Sequence, residues 1–260
     1  MREYSIELWH FRELLWALTI REVKIRYKQT LLGTAWAILQ PASLTLIFTI
    51  VFGVFLKVSS GTIPYPIFAY SALLPWIFFT NAVSFGALSV VNNSGLVTKI
   101  YFPREILPLA SIGAAFFDFL MAFVVFGILM IIYNIPLSLN LFYLSLLIPA
   151  ITLLTIGVSL ILSALNVMFR DIRFIVPLML QIWLYLSPVI YSLEQVPERF
   201  RTIILFNPMA PLVQDFRDVT VFGKSPNLSE LIFYSIISFL IFAAGYWFFK
   251  SQEKTFADII

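Results

Sequence analysis

The sequence predicts an all-α membrane protein, with six transmembrane helices, an amphipathic interface helix ahead of them and short re-entrant gate helices on the outer side. Three observations carry this. The 260 residues are 60% hydrophobic and only 12% charged, roughly half the charge of an ordinary soluble domain. Long apolar stretches recur, each reaching the roughly 20 residues a helix needs to cross the hydrocarbon. Those stretches together hold a single charged residue, Asp118. Cysteine is absent, which excludes disulfides, thiol chemistry and Cys-based metal sites. The lone histidine, His10, cannot build a metal cluster and reads as a polar residue on a surface helix; no metal ligands are expected.

The chain begins with an amphipathic segment. Over Ser5–Thr30, a helical wheel gathers Glu7, His10, Glu13, Arg21, Lys24 and Lys28 on one side. Leu8, Trp9, Leu15, Trp16, Val23 and Tyr27 fall on the other, interrupted by Arg12, Glu22 and Arg26. A helix with Trp, Leu and basic residues beside a span lies along the membrane surface. Residues 1–33 therefore read as a cytosolic interface helix and residues 34–260 as the membrane domain. The first thirty residues lack a compact apolar core with a small-residue cleavage site, so no signal peptide is expected.

The six spans are expected at residues 34–56, 66–91, 106–133, 141–169, 174–193 and 231–249. The third and fourth are long enough to tilt. The fifth contains Pro177 and Pro188, which can kink or break it. With the N-terminus inside, 12 of the 17 Lys and Arg residues fall in cytosolic segments; Lys57, Arg199, Arg201, Arg217 and Lys224 fall outside. The positive-inside rule then places both termini in the cytosol.

Between the last two spans lies Glu194–Glu230, rich in Pro but holding two short apolar pieces, Thr202–Phe206 and Met209–Val213. These are too short to span. They read as helices dipping back into the outer leaflet or covering a pore mouth, since that much apolar surface would otherwise face water.

The chemistry the chain lacks narrows its function. Gly223-Lys224-Ser225 looks like the end of a phosphate-binding loop, but the required earlier Gly is Asp218. A carrier driven by ions holds ionisable groups inside its spans. Here Asp118 stands alone, with no His, Lys or Arg in any span, and reads as a structural or pore-facing carboxyl. The close pairs Glu194 with Glu198 and Asp215 with Asp218 read as a solvated, self-neutralising loop rather than catalytic carboxylates. Energy must come from another subunit. Trp36, Trp76, Trp183, Tyr185 and Tyr191 are candidate channel-lining residues, near neutral groups such as Thr80, Asn81, Gln181 and Ser187. Rings with hydroxyls and amides suit sugars, whose C–H faces stack while their hydroxyls hydrogen-bond. Packing and interface anchoring explain aromatics equally well.

The run from Arg21 to Trp36, leading into Leu39-Gln40-Pro41, resembles the N-terminal signature of permease subunits of ABC-2 type polysaccharide exporters. The resemblance continues at Lys99–Pro108 and at Asn166–Arg173. It recurs at Gln181-Ile182-Trp183 with Ser187-Pro188-Val189, and at Asn207-Pro208-Met209 with Arg217. O-antigen exporters are the nearest likeness, with teichoic-acid and capsule exporters close behind. The resemblance implies a homodimer in the bacterial inner membrane with two ATP-binding cassette subunits, which carry the MgATP; this chain holds no cofactor and binds no nucleic acid. It implies export of a polyprenyl-pyrophosphate-linked polysaccharide, with the first and fifth spans lining the channel. ATPase coupling would fall to Asn93, Lys99, Tyr101 and Arg104, and to Arg170, Asp171 and Arg173. Arg21, Lys24, Arg26 and Lys28 form a basic inner rim that could attract the pyrophosphate. On this reading Asp118→Asn keeps substantial export. Alternatives are an ABC-2 exporter of another lipid, a drug or haem, a membrane-embedded polyprenyl-sugar enzyme, and a secondary carrier.

Overall fold

The computed structural model describes residues 10–28 and 30–259, which are helical through most of their length, with no strand among them. Glu7, Leu8 and Trp9 lie outside the described residues. In chain order the helices are α1 (Arg12–Tyr27), α2 (Trp36–Phe48), α3 (Tyr65–Asn92), α4 (Ser94–Val97), α5 (Ile106–Ile132) and α6 (Leu144–Met168). Then follow α7 (Ile172–Tyr185), α8 (Glu198–Leu205), α9 (Met209–Thr220), α10 (Leu228–Gln252) and α11 (Phe256–Ile259). A 3-10 turn at Gly33–Ala35 leads into α2, which continues as a π-helix over Thr49–Phe55.

Among the described residues, five helices are long and apolar enough to cross a membrane: Gly33–Phe55, Tyr65–Asn92, Ile106–Ile132, Leu139–Met168 and Leu228–Thr255. They match the expected first, second, third, fourth and sixth spans. Helix α3 is apolar on every side, and a helix of that kind belongs in the interior. It is 61% buried over its most apolar stretch, against 11% for the first span. Around it pack α5 and α6, and α6 in turn packs along α10. The α6–α10 contact is close because Gly157 and Gly245 face each other; a Cβ at Gly157 would sit 2.6 Å from the Ile241 carbonyl oxygen. Small residues let membrane helices approach backbone to backbone, where dispersion replaces the missing hydrophobic drive.

The expected span at 174–193 is not one continuous helix. Helix α7 has 14 residues, and the rest of the stretch is irregular. At 1.5 Å per residue it covers about 21 Å, short of the roughly 30 Å of hydrocarbon. Pro188 has no N–H to donate and disfavours helical geometry at Ser187 before it. The break frees carbonyls, and Ser187, Pro188, Val189 and Ile190 are buried, so those groups need partners. Arg217 Nη2 donates to the Pro188 and Val189 carbonyls, each at 2.8 Å, and Nη1 to that of Tyr191 at 3.3 Å. Tyr65 Oη donates to the Ile190 carbonyl at 2.8 Å. Arg217 also reaches the Phe68 carbonyl (3.2 Å) and lies 3.8 Å over the Phe68 ring. Its side chain is fully buried. Burial pushes its pKa down to about 9, so the guanidinium stays charged at neutral pH.

In the outer segment, Met209, Ala210, Leu212 and Val213 have 0% exposure, so the first part of α9 is packed into the bundle. Helix α8 is the looser piece, with Ile203 and Phe206 exposed and Ile204 buried. Asp215 and Asp218 do not form a solvated loop. Burial, then Asp218 and Glu230, pushes Asp215 up to about 7, and burial raises Asp218 as well.

Candidate functional site

The residues singled out at the inner rim lie on α1, on the α3–α5 connection and on the α6–α7 turn. Helix α1 docks on α5. Leu18 is buried, with Phe11, Leu14 and Leu15 beside it, in a cluster with Val90, Ile106 and Leu107. Gly113 makes the docking close: a Cβ there would meet Thr19 Cγ2 at 2.9 Å. The packed face differs from the expected wheel. Trp16 is 68% exposed, whereas Glu22 and Arg26, which interrupted the apolar side, turn partly inward.

Arg26 turns inward because it has a partner. Its Nη1 donates to Asp118 Oδ2 at 2.7 Å, and its Nη2 to the Ser111 carbonyl at 3.1 Å. Tyr27 Oη donates to the other Asp118 oxygen, and the guanidinium sits 4.1 Å from the Phe85 ring centroid. Asp118 is therefore not the isolated carboxylate expected. A side chain from the surface helix reaches into the bundle and neutralises it, which no reading of the spans alone could reveal. Arg26 is correspondingly committed to the bundle and does not stand on an open rim. Arg21 is also engaged, donating to Asn93 Oδ1 at 2.5 Å and to Glu22 at 3.0 Å. Lys24 and Lys28 are exposed.

The α3–α5 connection is pinned to the C-terminal part of the chain. Arg104 donates its backbone N–H to Glu253 Oε1 at 2.8 Å and its guanidinium to the Glu253 carbonyl. Lys250 bridges Glu105 and Glu253 at 2.7 and 2.8 Å, and Tyr246 Oη donates to Glu105 at 3.3 Å. Glu105 is 1% exposed, and burial raises its pKa even against the Lys250 hydrogen bond. Phe249 and Phe256 stack edge to face at 5.2 Å and share a cluster with Val97 and Phe102. Of the expected coupling residues, Arg104 is thus bound internally and Asn93 is held by Arg21. Lys99 and Tyr101 are presented outward, Tyr101 at 86% exposure. Arg170, Asp171 and Arg173 are all exposed on the α6–α7 turn.

The five aromatic candidates separate. Trp76 is 4% exposed and packs on Phe79, so it is core and not lining within this chain. Trp183 is half-buried, edge-on to Phe79 at 5.2 Å. Tyr191 donates its hydroxyl to the Tyr185 carbonyl at 2.9 Å, and Tyr185 is itself 59% exposed. Trp36 is half-exposed and lines a cavity of about 470 Å³ between α1, α2, α3 and α5, together with Arg26 and Asp118.

Sequence reasoning missed the Arg26–Asp118 pair and the Glu105–Lys250–Glu253 network. A signal existed for the first. An unpaired carboxylate in a span and a cation spoiling an apolar helix face each need a partner, and each is the simplest partner for the other.

With this geometry in view, a family model described as ABC-2 type transporter matches residues 13–221. The chain belongs to the ABC-2 type transporter family. Among curated relatives, it is 30% identical over 261 residues to the O-antigen export system permease protein RfbA of Myxococcus xanthus, covering 98% of each chain. It is 29% identical over 251 residues, 95% of each, to the protein of the same name from Klebsiella pneumoniae. The polysialic acid transport protein KpsM of Escherichia coli is 25% identical over 249 residues, covering 92% of this chain and 93% of that one.

Proposed function

We propose that this chain is the transmembrane subunit of an ATP-driven exporter that moves a polyprenyl-pyrophosphate-linked polysaccharide, of the O-antigen class, across the bacterial inner membrane. The observation that carries the reading is similarity, over 98% of each chain, to an O-antigen export system permease protein. The physical reading agrees. The spans hold one carboxylate, already neutralised by Arg26, and so offer no site for a coupling ion. A motor subunit must therefore act from outside the membrane, and MgATP belongs to it.

Two copies of this chain form the channel in this reading, with two ATP-binding cassette subunits on the cytosolic side. The exposed apolar faces of α2 and α7 face the partner copy and the passage. Helix α7 and the irregular stretch after it make the fifth of six crossings, and α8 with α9 forms the outer gate. Lys99 and Tyr101, with Arg170, Asp171 and Arg173, meet the ATPase. Lys24 and Lys28 are the free part of the basic rim toward the pyrophosphate.

Co-reconstitution with the cognate ATPase in vesicles tests the function; ATP-dependent appearance of labelled lipid-linked glycan on the far side is expected. ATP-driven movement of a drug or simple lipid, with the glycan left behind, would overturn it. Topology is testable cleanly because the chain has no cysteine. Single cysteines at Lys57 and Lys224 should react with an impermeant maleimide from outside, and those at Lys99 and Lys254 only from inside.

A further inference from the structure

The cavity between α1, α2, α3 and α5 is polar at one end and apolar at the other. Asp118 lies twelve residues, or about 18 Å, along α5 from Ile106, inside a helix long and apolar enough to cross a membrane. Inside hydrocarbon an amide without a partner is costly. Yet the side-chain amides of Asn81 on α3 and Gln40 on α2, both lining the cavity, make no hydrogen bond to another described residue. These groups offer donors and acceptors together. Arg26 and Asp118 cancel each other's charge, so this end does not select an ion. Trp36 and Phe85 add aromatic rings beside the amides. Farther along the same helices, Leu74, Ile77 and Ala122 make the wall apolar. The volume, about 470 Å³, lies within the range of small-ligand sites.

We propose that this cavity binds an amphiphile with an uncharged sugar head, the head held by Asn81 and Gln40 against Trp36 and the chain laid along the apolar end. Hydroxyl groups both donate and accept, which suits amides, and sugar C–H faces suit rings. A phosphate would lack a free cation here, and a choline would lack a free carboxylate. This cavity chemistry does not rest on the proposed function, since a ligand whose sugar is joined to its chain through a pyrophosphate does not fit the uncharged end.

The test uses the permease assembled with its ATPase subunits and held in amphipol, so that no sugar detergent competes. Octyl β-glucoside and octylphosphocholine are titrated below micelle formation while tryptophan emission is followed. A saturable change with the glucoside, absent in Trp36→Phe, is expected. Half-saturation should rise about tenfold in Asn81→Leu and in Gln40→Leu, the loss of about one good hydrogen bond. Octylphosphocholine should bind at least about tenfold more weakly. Gln40 is exposed, so its variant keeps the fold even if Asn81→Leu fails to assemble. Equal binding of the two amphiphiles would show an unselective lipid cleft, and substitutions without effect would place the glucoside elsewhere; either overturns the proposal. Glycan export is measured in parallel. Export without saturable glucoside binding rejects the cavity site alone, and glucoside binding without glycan export rejects the export reading alone.

Discussion

Arg26 is partly buried and Arg217 is fully buried, and the two are satisfied in opposite ways. Arg26 reaches in from a surface helix and meets a carboxylate, Asp118, on a span. Arg217 makes no ion pair among the described residues; its bonds run to backbone carbonyls exposed by a broken helix and to the Gln214 side chain. The first ties two separate elements together through opposite charges. The second replaces the hydrogen bonds that a helix would have made for itself. The lesson is that an arginine in a membrane protein can serve as a charge or as a set of five directed N–H donors. The two uses respond differently to substitution.

The largest effect is expected at Arg217. Arg217→Met leaves carbonyls of Phe68, Pro188, Val189 and Tyr191 without their donor, each costing about 1–3 kcal/mol. Folded, detergent-stable protein should be lost, as read by size-exclusion chromatography. Arg217→Lys keeps the charge but not the fork of donors, and should rescue little. A full rescue by Lys would show that charge, not donor geometry, is what the site requires.

At the inner pair the pattern should reverse. Arg26→Met leaves Asp118 facing the bundle with only Tyr27 and should cost about 3–5 kcal/mol. The double variant Arg26→Met with Asp118→Leu should recover most of that, because both charges leave together. Thermal unfolding of the four proteins in a double-mutant cycle measures the coupling directly. Asp118→Asn keeps the Tyr27 contact and should cost less than Arg26→Met while retaining substantial export.

A pH effect distinguishes the two regions further. The Asp215 carboxyl, two residues from Arg217, is raised from 3.8 to about 7, first by burial and then by Asp218 and Glu230. The folded state therefore holds a proton that the unfolded state has lost, and stability falls as pH rises from about 4 to about 7. Asp215→Asn should flatten that slope in melting temperature against pH. A slope unchanged in the variant would assign it to another group.

The smallest effects are expected at single contacts and on the open rim. Tyr27→Phe removes one hydrogen bond to Asp118 and should cost about 1 kcal/mol. Lys24→Gln with Lys28→Gln should leave stability unchanged, since both side chains are exposed. Any loss of export in that variant then reports on the pyrophosphate, and unchanged export would remove these lysines from its path.

Much of this was legible along the chain. Apolar length located five long helices to within a few residues, because crossing hydrocarbon demands length and backbone self-satisfaction that composition records. Pro177 and Pro188 marked the weak point of the fifth stretch. Composition could not say that the helix would stop at Tyr185, because stopping is allowed only where Arg217 and Tyr65 arrive to meet the freed carbonyls. In the same way the apolar content of Met209–Val213 called for cover from water, by re-entry or over a pore mouth, but not for the contacts that bury it, which come from α9 folding back on α3 and α6.

By itself, then, the sequence determined the all-helical class, the family, the positions of the long helices and the scarcity of charge within them. These follow from local hydrophobicity and from ordered motifs, which are properties of the chain read in line. Tertiary structure alone decided which charges are free. Arg26 and Asp118 stand 92 residues apart, and Arg104 and Glu253 stand 149 apart. A side chain's partner depends on which helices meet, and in lipid a buried charge stays only where the fold has brought a partner to it.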